Sequence, residues 1–311
     1  METNQIIMLI VIGVVLLCLL GGYIFYIQLF RIGKNHQQPA VNQEDPFFNP
    51  SWKWFLKTPH DEVEIRAYDN IRLKGIYIPS KYKDSDNIAI IAHGYRSFNH
   101  DMIALAKLYS DLGFKILMPD QRGHGVSEGD FTTFGHYEKY DLRKWIQFAM
   151  RNYGATANIL LHGVSMGAAT VLSCSAMKIP DNVRMVVADS SYTSLSKLIN
   201  KNTRPKLFLI FKPILNLYTY LNHRFLLRDI KPLRDVKKSK LPLVLIHGKN
   251  DCRVPFSMAE RLYDASSAAS KCHIYSEDAS HGKAYVVDTE SYVQKLKSML
   301  SIYFDLHRSD L

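Results

Sequence analysis

The 311-residue sequence lacks the short patterns that mark several common protein classes. Its four cysteines form no CxxC pair and show no Cys/His metal spacing, so structural zinc is improbable. No GxGxxG or GxxxxGK motif opens a helical segment, which argues against a dinucleotide-binding or phosphate-loop enzyme. Internal repeats and low-complexity tracts are missing too. With 47% hydrophobic and 22% charged residues, the chain is expected to fold as a globular protein.

Acidic residues are scarce in one segment of the chain. There are 39 Lys and Arg residues against 29 Asp and Glu residues, and the net charge is +10. Between Lys197 and Lys240 the sequence has twelve basic residues and only two acidic ones, Asp229 and Asp235, so this segment carries the whole excess. The position of the charge is therefore more informative than its size, and we expect no nucleic-acid partner.

A run of 25 uncharged residues, 6–30, lies near the N-terminus. About 20 apolar residues span a hydrocarbon core as a helix, so the run predicts a membrane anchor over residues 1–35. The alternative is a cleaved signal peptide, which needs a basic start, a shorter run and a small-residue cleavage site. Here Glu2 precedes the run and aromatic residues end it. Arg31 and Lys34 then favour a single-pass protein with a cytoplasmic C-terminal domain.

Residues 36–59 are rich in Pro, Gln and Asn, and we interpret them as a linker before a domain over residues 60–311. In that domain apolar runs alternate with amphipathic stretches, which is the order of a parallel sheet covered by helices. The predicted fold class is α/β, with a mostly parallel sheet and helices on both faces. The eight predicted strands are VEIRAY, IRLKGIYI, NIAIIAHG, FKILMPD, NILLHGVS, VRMVVADS, PLVLIHG and CHIYSE.

The motif GVSMG, residues 163–167, lies between an apolar strand and a helix of small residues. A serine on such a sharp turn is presented above the sheet edge, and the glycines remove Cβ atoms that would collide with strand and helix. The helix N-terminus offers positive partial charge to a developing oxyanion. Ser165 is therefore the predicted nucleophile, with a helix-capping serine as the alternative interpretation.

Two further residues fit the partners that a serine nucleophile requires, a base and an acid that orients the base. The strand PLVLIHG leads into Asp251, and the next strand, CHIYSE, leads into His281. Both then lie at the carboxyl edge of the sheet, where catalytic groups gather. Asp251 is preferred over Asp278, which follows the last strand. The alternative interpretations are a turn carboxylate for Asp251 and a surface loop histidine for His281.

Taken together, the segments HGYR, DQRGHGVSEG, GVSMG, HGKNDCRVP and SHG resemble the α/β-hydrolase superfamily over nearly all of residues 60–307. The chain is similar to bacterial membrane-anchored serine hydrolases grouped with cinnamoyl-ester hydrolases, prolyl-oligopeptidase-like peptidases and the bile acid acyltransferase branch. The resemblance implies a triad of Ser165, Asp251 and His281 that cleaves an ester, thioester or amide through an acyl-enzyme. It implies no metal and no cofactor. Serine at the nucleophile position disfavours the dehalogenation that members with Asp there perform.

The segment HGYR resembles the family element that supplies one donor of the oxyanion hole, and the second donor follows the nucleophile. The resemblance therefore assigns the backbone N–H groups of Tyr95 and Met166 to an oxyanion hole. His124 lies in the glycine-rich segment DQRGHG. We interpret it as a structural residue of a tight loop rather than as a catalytic histidine.

Residues 191–240 separate two predicted strands by far more than an ordinary connection, and they predict an inserted helical cap. Within this insertion the segment LFLIFKPILNLYTYLNHRFLL is apolar and aromatic as well as basic. A cap over the triad would supply an acyl-binding pocket. Two interpretations stay open. Either the charges are solvated while the apolar face packs on the domain, or a basic cap contacts anionic lipid and admits acyl chains.

The predicted function is hydrolysis of a carboxylic ester or thioester, with a small acyl or lipid-like substrate, by a membrane-anchored serine hydrolase. One alternative is an aminopeptidase or amidase activity on the same triad, and another is acyl transfer. A non-catalytic scaffold with the α/β-hydrolase fold belongs to a different class, and the presence of all three triad residues argues against it.

Overall fold

The structure, a computed structural model, describes residues 3–33 and 48–306, and its centre is one eight-stranded sheet. The strand order is β1-β2-β4-β3-β5-β6-β7-β8. The pairs β1/β2 and β2/β4 are antiparallel, and every later pair is parallel. The strands are β1 (Asp61–Arg66), β2 (Arg72–Ile78), β3 (Asn87–Ala92), β4 (Lys115–Pro119), β5 (Asn158–Val164), β6 (Val183–Asp189), β7 (Leu243–Gly248) and β8 (Lys271–Ser276).

Helices cover both faces of the sheet, because the central strands are apolar on both sides. All six residues of β3 and of β7 are buried. The helices are α1 (Thr3–Phe30), α2 (Phe48–Lys57), α3 (Ile103–Asp111), α4 (Glu138–Tyr153), α5 (Met166–Ser175), α6 (Leu195–Asn202), α7 (Pro205–His223), α8 (Pro232–Asp235), α9 (Phe256–Ala265), α10 (Ala284–Val287) and α11 (Thr289–Tyr303). One core lies under α3 and α11, a second lies under α4, α5 and α9, and a third contains residues of α1, α6 and α7. The predicted α/β fold class is confirmed.

The predicted linker over residues 36–59 is wrong in its second half. Residues 48–57 form α2, which packs on α3 and buries Phe55 in the core. The Asn-Pro pair that favoured a linker lies in the first turn of this helix, where Pro is tolerated because its missing N–H needs no intrahelical acceptor. The first part of the predicted linker, together with Lys34, lies outside the described residues.

The N-terminal helix α1 is long and apolar enough to cross a membrane. Most of its side chains up to Leu20 are exposed. Its last two turns differ from the predicted anchor, because Tyr26 and Phe30 are buried in the globular domain. The Phe30 ring contacts Phe134 and Phe225, with ring centroids 5.5 and 6.0 Å away. The helix therefore ends as part of the core that also contains the first residue of α5.

Between β6 and β7 the chain forms three helices, α6, α7 and α8, in the region of the predicted cap over residues 191–240. The longest, α7, packs along α1. Phe208 and Leu215 of α7 are buried in the same core as Tyr26 and Phe30. The α1 and α7 helices thus form one unit on the carboxyl side of the sheet.

Candidate active site

Ser165 occupies the sharp turn between β5 and α5, with φ 56° and ψ −110°. This backbone conformation is rare for a residue with a side chain and is strained. The turn persists because the Ser165 N–H donates to the Asp189 backbone oxygen at 2.8 Å. A Cβ on Gly163 would overlap the Gly167 backbone, and one on Gly167 would overlap the backbone at Ala92. The two glycines of the motif are therefore required by close packing.

The structure brings the three predicted triad residues together. His281 Nε2 lies 2.8 Å from Ser165 Oγ, and His281 Nδ1 lies 2.6 Å from Asp251 Oδ2. The three residues follow β5, β7 and β8, whose parallel arrangement brings their carboxyl ends to one edge. The His281 ring can accept the hydroxyl proton at Nε2 while the carboxylate holds the proton at Nδ1.

The Asp251 carboxylate is held by backbone as well as by side chains. Its Oδ1 accepts hydrogen bonds from the N–H groups of Arg253 and Val254 at 2.9 and 2.8 Å. Burial raises the pKa of Asp251, but hydrogen bonds from His247 and His281 outweigh burial and hold the pKa well below its ordinary value. Asp251 is therefore ionised at neutral pH. A neutral carboxyl could not stabilise a positively charged His281.

His247 is a buried neighbour of this pair that sequence reasoning missed. Its Nε2 lies 2.9 Å from the Val254 backbone oxygen and 3.3 Å from Asp251 Oδ2. The ring is completely buried at the end of β7. It therefore fixes the turn that presents Asp251. The only signal in the sequence is the polar residue near the end of the apolar run PLVLIHG.

The two residues predicted to supply oxyanion donors, Tyr95 and Met166, both line the cavity that contains Ser165. Met166 is the first residue of α5, so its N–H has no intrahelical acceptor. A Cβ on Gly94 would lie 3.5 Å from Ser165 Cβ, which places the backbone before Tyr95 against the nucleophile. Both residues thus lie beside Ser165, and the oxyanion role of their N–H groups stays a prediction.

The cavity above the triad has a volume of about 460 Å³ and is mainly apolar. Its walls come from α6, from the loops after β3 and β7, and from the end of α1. Sequence reasoning placed the pocket in the cap alone and missed wall residues outside it, among them Leu29 of α1, because the run 6–30 was assigned to a membrane. Apolar wall residues include Met102, Phe134, Tyr192, Leu195 and Ile199.

The corner after β6 joins the three triad segments and was also missed. Besides the contact between the Asp189 oxygen and the Ser165 N–H, Ser190 Oγ accepts a hydrogen bond from the Gly282 N–H at 3.1 Å. The Ser190 hydroxyl donates to Asp189 Oδ1 at 2.8 Å, and the Ser190 N–H donates to the Ile246 oxygen at 2.9 Å. These bonds link the nucleophile turn, β7 and the histidine loop. Burial raises the pKa of Asp189 to about 6.

His124 takes a structural position, in agreement with its interpretation from the sequence. Its ring is buried, its Nε2 accepts a hydrogen bond from the Arg96 N–H at 3.1 Å, and its Nδ1 lies 2.9 Å from the Arg122 oxygen. The histidine ties the loop after β4 to the segment next to Tyr95. Within residues 3–33 and 48–306, no group of three His, Cys, Asp or Glu side chains is placed to hold a metal ion.

Comparison with known proteins agrees with the fold. A family model described as the alpha/beta hydrolase fold matches residues 90–232. The uncharacterised protein YqkD of Bacillus subtilis is 26% identical over 90% of this chain and 92% of its own length. The uncharacterised protein YfhR of Escherichia coli K12 is 27% identical over 77% of this chain and 83% of its own length.

Two solved structures extend the comparison. The Pyrococcus furiosus esterase Pf2001 superposes with a TM-score of 0.66 at 25% identity and covers 80% of this chain and 95% of the esterase. The Pyrococcus horikoshii acylaminoacyl peptidase superposes with a TM-score of 0.62 at 16% identity, covering 85% of this chain and 45% of the peptidase. The second likeness is one of fold alone. The fold of the chain is that of the α/β-hydrolases.

Proposed function

We propose that the protein is a membrane-anchored serine hydrolase that cleaves a carboxylic ester or thioester, with Ser165, His281 and Asp251 as its catalytic triad. The observation that carries the proposal is the continuous hydrogen-bonded path from Ser165 Oγ through the His281 ring to Asp251 Oδ2, at 2.8 and 2.6 Å. A serine on a strained turn beside an imidazole that a carboxylate orients is the arrangement that acyl transfer requires.

In the proposed reaction, Ser165 Oγ attacks the acyl carbonyl carbon while His281 Nε2 takes the hydroxyl proton. The carbonyl π bond opens, and the resulting oxyanion accepts hydrogen bonds from the N–H groups of Tyr95 and Met166. When the oxyanion collapses, the bond to the leaving alcohol or thiol breaks and His281 returns the proton to that group. Water then attacks the acyl-enzyme by the same steps, which releases the acid and regenerates Ser165.

The lining of the cavity favours an acyl ester or thioester over a peptide with a free amino terminus. The walls are mainly apolar, and no Asp or Glu is among the described residues that line the cavity. An aminopeptidase needs an anionic group to bind the substrate ammonium, because an unpaired buried charge is costly. The likeness to the Pyrococcus furiosus esterase supports the same choice. Amide cleavage on the same triad is the alternative.

Membrane anchoring is proposed from α1. The helix is long enough to span a bilayer, and its last turns are integrated into the globular domain. The Leu29 oxygen accepts a hydrogen bond from Tyr95 Oη at 2.9 Å, and the Phe30 oxygen accepts one from the Thr132 N–H at 2.9 Å. Signal-peptide cleavage after these residues would remove Leu29 from the cavity wall, and cleavage before them would remove the part of α1 that packs on α7, so we propose that α1 is retained.

The test uses the full chain in detergent with p-nitrophenyl esters of graded acyl length. We expect wild-type turnover, and loss of that turnover with Ser165→Ala. Ser173→Ala is a matched control, because Ser173 is buried in α5 and bonds Asp235 instead of the triad. An amino-acid p-nitroanilide assayed in parallel distinguishes the amidase alternative. Equal ester turnover by wild type and Ser165→Ala would refute the proposal.

A further inference from the structure

The outer face of α7 is unusually apolar for a protein surface. Among its exposed residues, Leu209 retains 67% and Ile210 retains 59% of its accessible area. Contiguous apolar surface of this kind marks an interaction site on a folded protein. The large apolar side chains that define this α7 face are Leu207, Leu209, Ile210, Leu217, Tyr220 and Leu221.

The α7 face is continuous with the membrane helix, which indicates what covers it. The two helices pack on each other over residues 19–26 of α1. Gly21 lies against the Phe211 ring, the Tyr218 hydroxyl donates to the Leu19 oxygen at 3.3 Å, and the rings of Tyr26 and Tyr218 are 5.7 Å apart. The part of α7 from Phe211 to Tyr218, with Leu209 and Ile210 directly before it, therefore lies beside the point where α1 leaves the domain.

The length of α1 places this point at a bilayer surface. Residues 3–18 precede the contact with α7, and at about 1.5 Å per residue they extend roughly 24 Å, which is most of the thickness of a hydrocarbon core. The turns of α7 around Leu209 and Ile210 then lie at the boundary between acyl chains and headgroups. Exposed Lys201, Arg204 and Lys206 flank the same turns, as expected for contact with anionic headgroups.

The catalytic cavity opens at the same level. Of the side chains that line it, Asn202 and Arg253 are exposed, and Asn202 Nδ2 donates to the Arg253 oxygen at 2.9 Å. Asn202 ends α6, three residues before α7 begins. Leu29 of α1 and Leu198 of α6 are half-buried members of the same lining. The opening is therefore next to the apolar α7 face and the membrane helix.

We infer that the α7 face lies in the bilayer surface and that the substrate is an amphiphilic acyl ester taken from the bilayer, with its acyl chain entering past Leu29 and Leu198. The inference rests on the proposed function for the chemistry, and on the α1 and α7 geometry for the source of the substrate. A half-buried apolar entrance facing lipid lets an acyl chain leave the bilayer without crossing water, which avoids the hydration cost of each methylene group.

The kinetic test uses the full chain in phosphatidylcholine–phosphatidylglycerol vesicles with two esters, water-soluble p-nitrophenyl butyrate and a long-chain fluorogenic ester held in the bilayer. For the double variant Leu209→Glu/Ile210→Glu, we expect the ratio of the bilayer-ester rate to the soluble-ester rate to fall about tenfold or more, because charges on this face oppose insertion. Ile302→Glu on α11 is the matched control, since Ile302 is 63% exposed and lies outside the α7 face. An unchanged ratio in the double variant would overturn the inference.

A second measurement does not depend on activity. Leu209→Trp and Ile302→Trp each add one tryptophan to the three of the natural chain, and quenching by brominated lipid reports which added residue contacts acyl chains. We expect additional quenching for Leu209→Trp and none for Ile302→Trp. Equal quenching of the two would contradict the α7 placement. Quenching at position 209 without hydrolysis of either ester would instead refute the proposed function and leave the placement standing.

Discussion

Removal of the Ser190 hydroxyl is expected to slow catalysis although Ser190 lines no part of the described cavity. In Ser190→Ala the Gly282 N–H loses its acceptor, and Asp189 Oδ1 loses its donor. Gly282 follows His281 directly, so the loop that carries His281 loses its bond to the corner after β6. Because Ser and Ala both carry a Cβ, the left-handed backbone at position 190, φ 58°, costs each of them about the same.

The size of the effect follows from the hydrogen bond. If the transition state loses the free energy of one such bond, about 1.5 kcal/mol, kcat falls roughly tenfold. KM should change little, because the missing hydroxyl is not part of the binding surface. Unsatisfied buried groups should also lower the free energy of unfolding by about 1–2 kcal/mol.

The assay is turnover of p-nitrophenyl butyrate per active site, with sites counted by titration with a fluorophosphonate. Ser191→Ala is the matched control. Ser191 is the next residue, and its Oγ is buried without a hydrogen-bond partner in the described part of the chain. The variant Ser191→Ala should keep full kcat. If Ser190→Ala keeps full kcat per titrated site, or if both variants lose the same amount, the corner does not position the histidine.

Three further predictions concern the acid, a buried carboxyl and the packing of α1. Asp251→Asn should lower kcat by about 10⁴, because the amide cannot hold the base in its reactive tautomer; stopped-flow turnover measures this. Burial raises the pKa of Asp189 from 3.8 to about 6, so the folded chain keeps a proton that the unfolded chain has released, and stability falls as pH rises through that window. Asp189→Asn has no carboxyl to titrate, so this loss of about 3 kcal/mol in the free energy of unfolding should disappear. The variant should therefore have a higher Tm than wild type at pH 7.5, and this gain should be absent below pH 4. In Gly22→Leu the new side chain overlaps Ile214 and should lower Tm, whereas Gly13→Leu, with no neighbour, should not.

The sheet could be predicted from the sequence because each strand is a short apolar run ended by polar residues or glycine. Every predicted strand has a counterpart among β1 to β8. The candidate triad could be proposed for the same reason. Ser165, Asp251 and His281 each lie within five residues of the end of a strand, and parallel strands bring such positions to one edge. Their catalytic roles stay a prediction until activity is measured.

What sequence reasoning missed arises from contacts between distant segments. Ser190 and Gly282 are 92 residues apart, and no local pattern marks a serine that accepts a hydrogen bond across that distance. The end of α1 was assigned wholly to a membrane because apolar residues suit lipid and a protein core equally well. Phe30 is buried only because Phe134 and Phe225 meet it in the folded domain.

The most direct test of the central claim is labelling of the full chain by a fluorophosphonate, followed by mass spectrometry of the modified peptide. We expect one adduct, on Ser165, because a phosphonate reacts with a serine activated by a neighbouring base. The adduct should be lost in Ser165→Ala and greatly slowed in Asp251→Asn. Failure of the folded wild-type chain to label, or an adduct on another residue, would contradict the account.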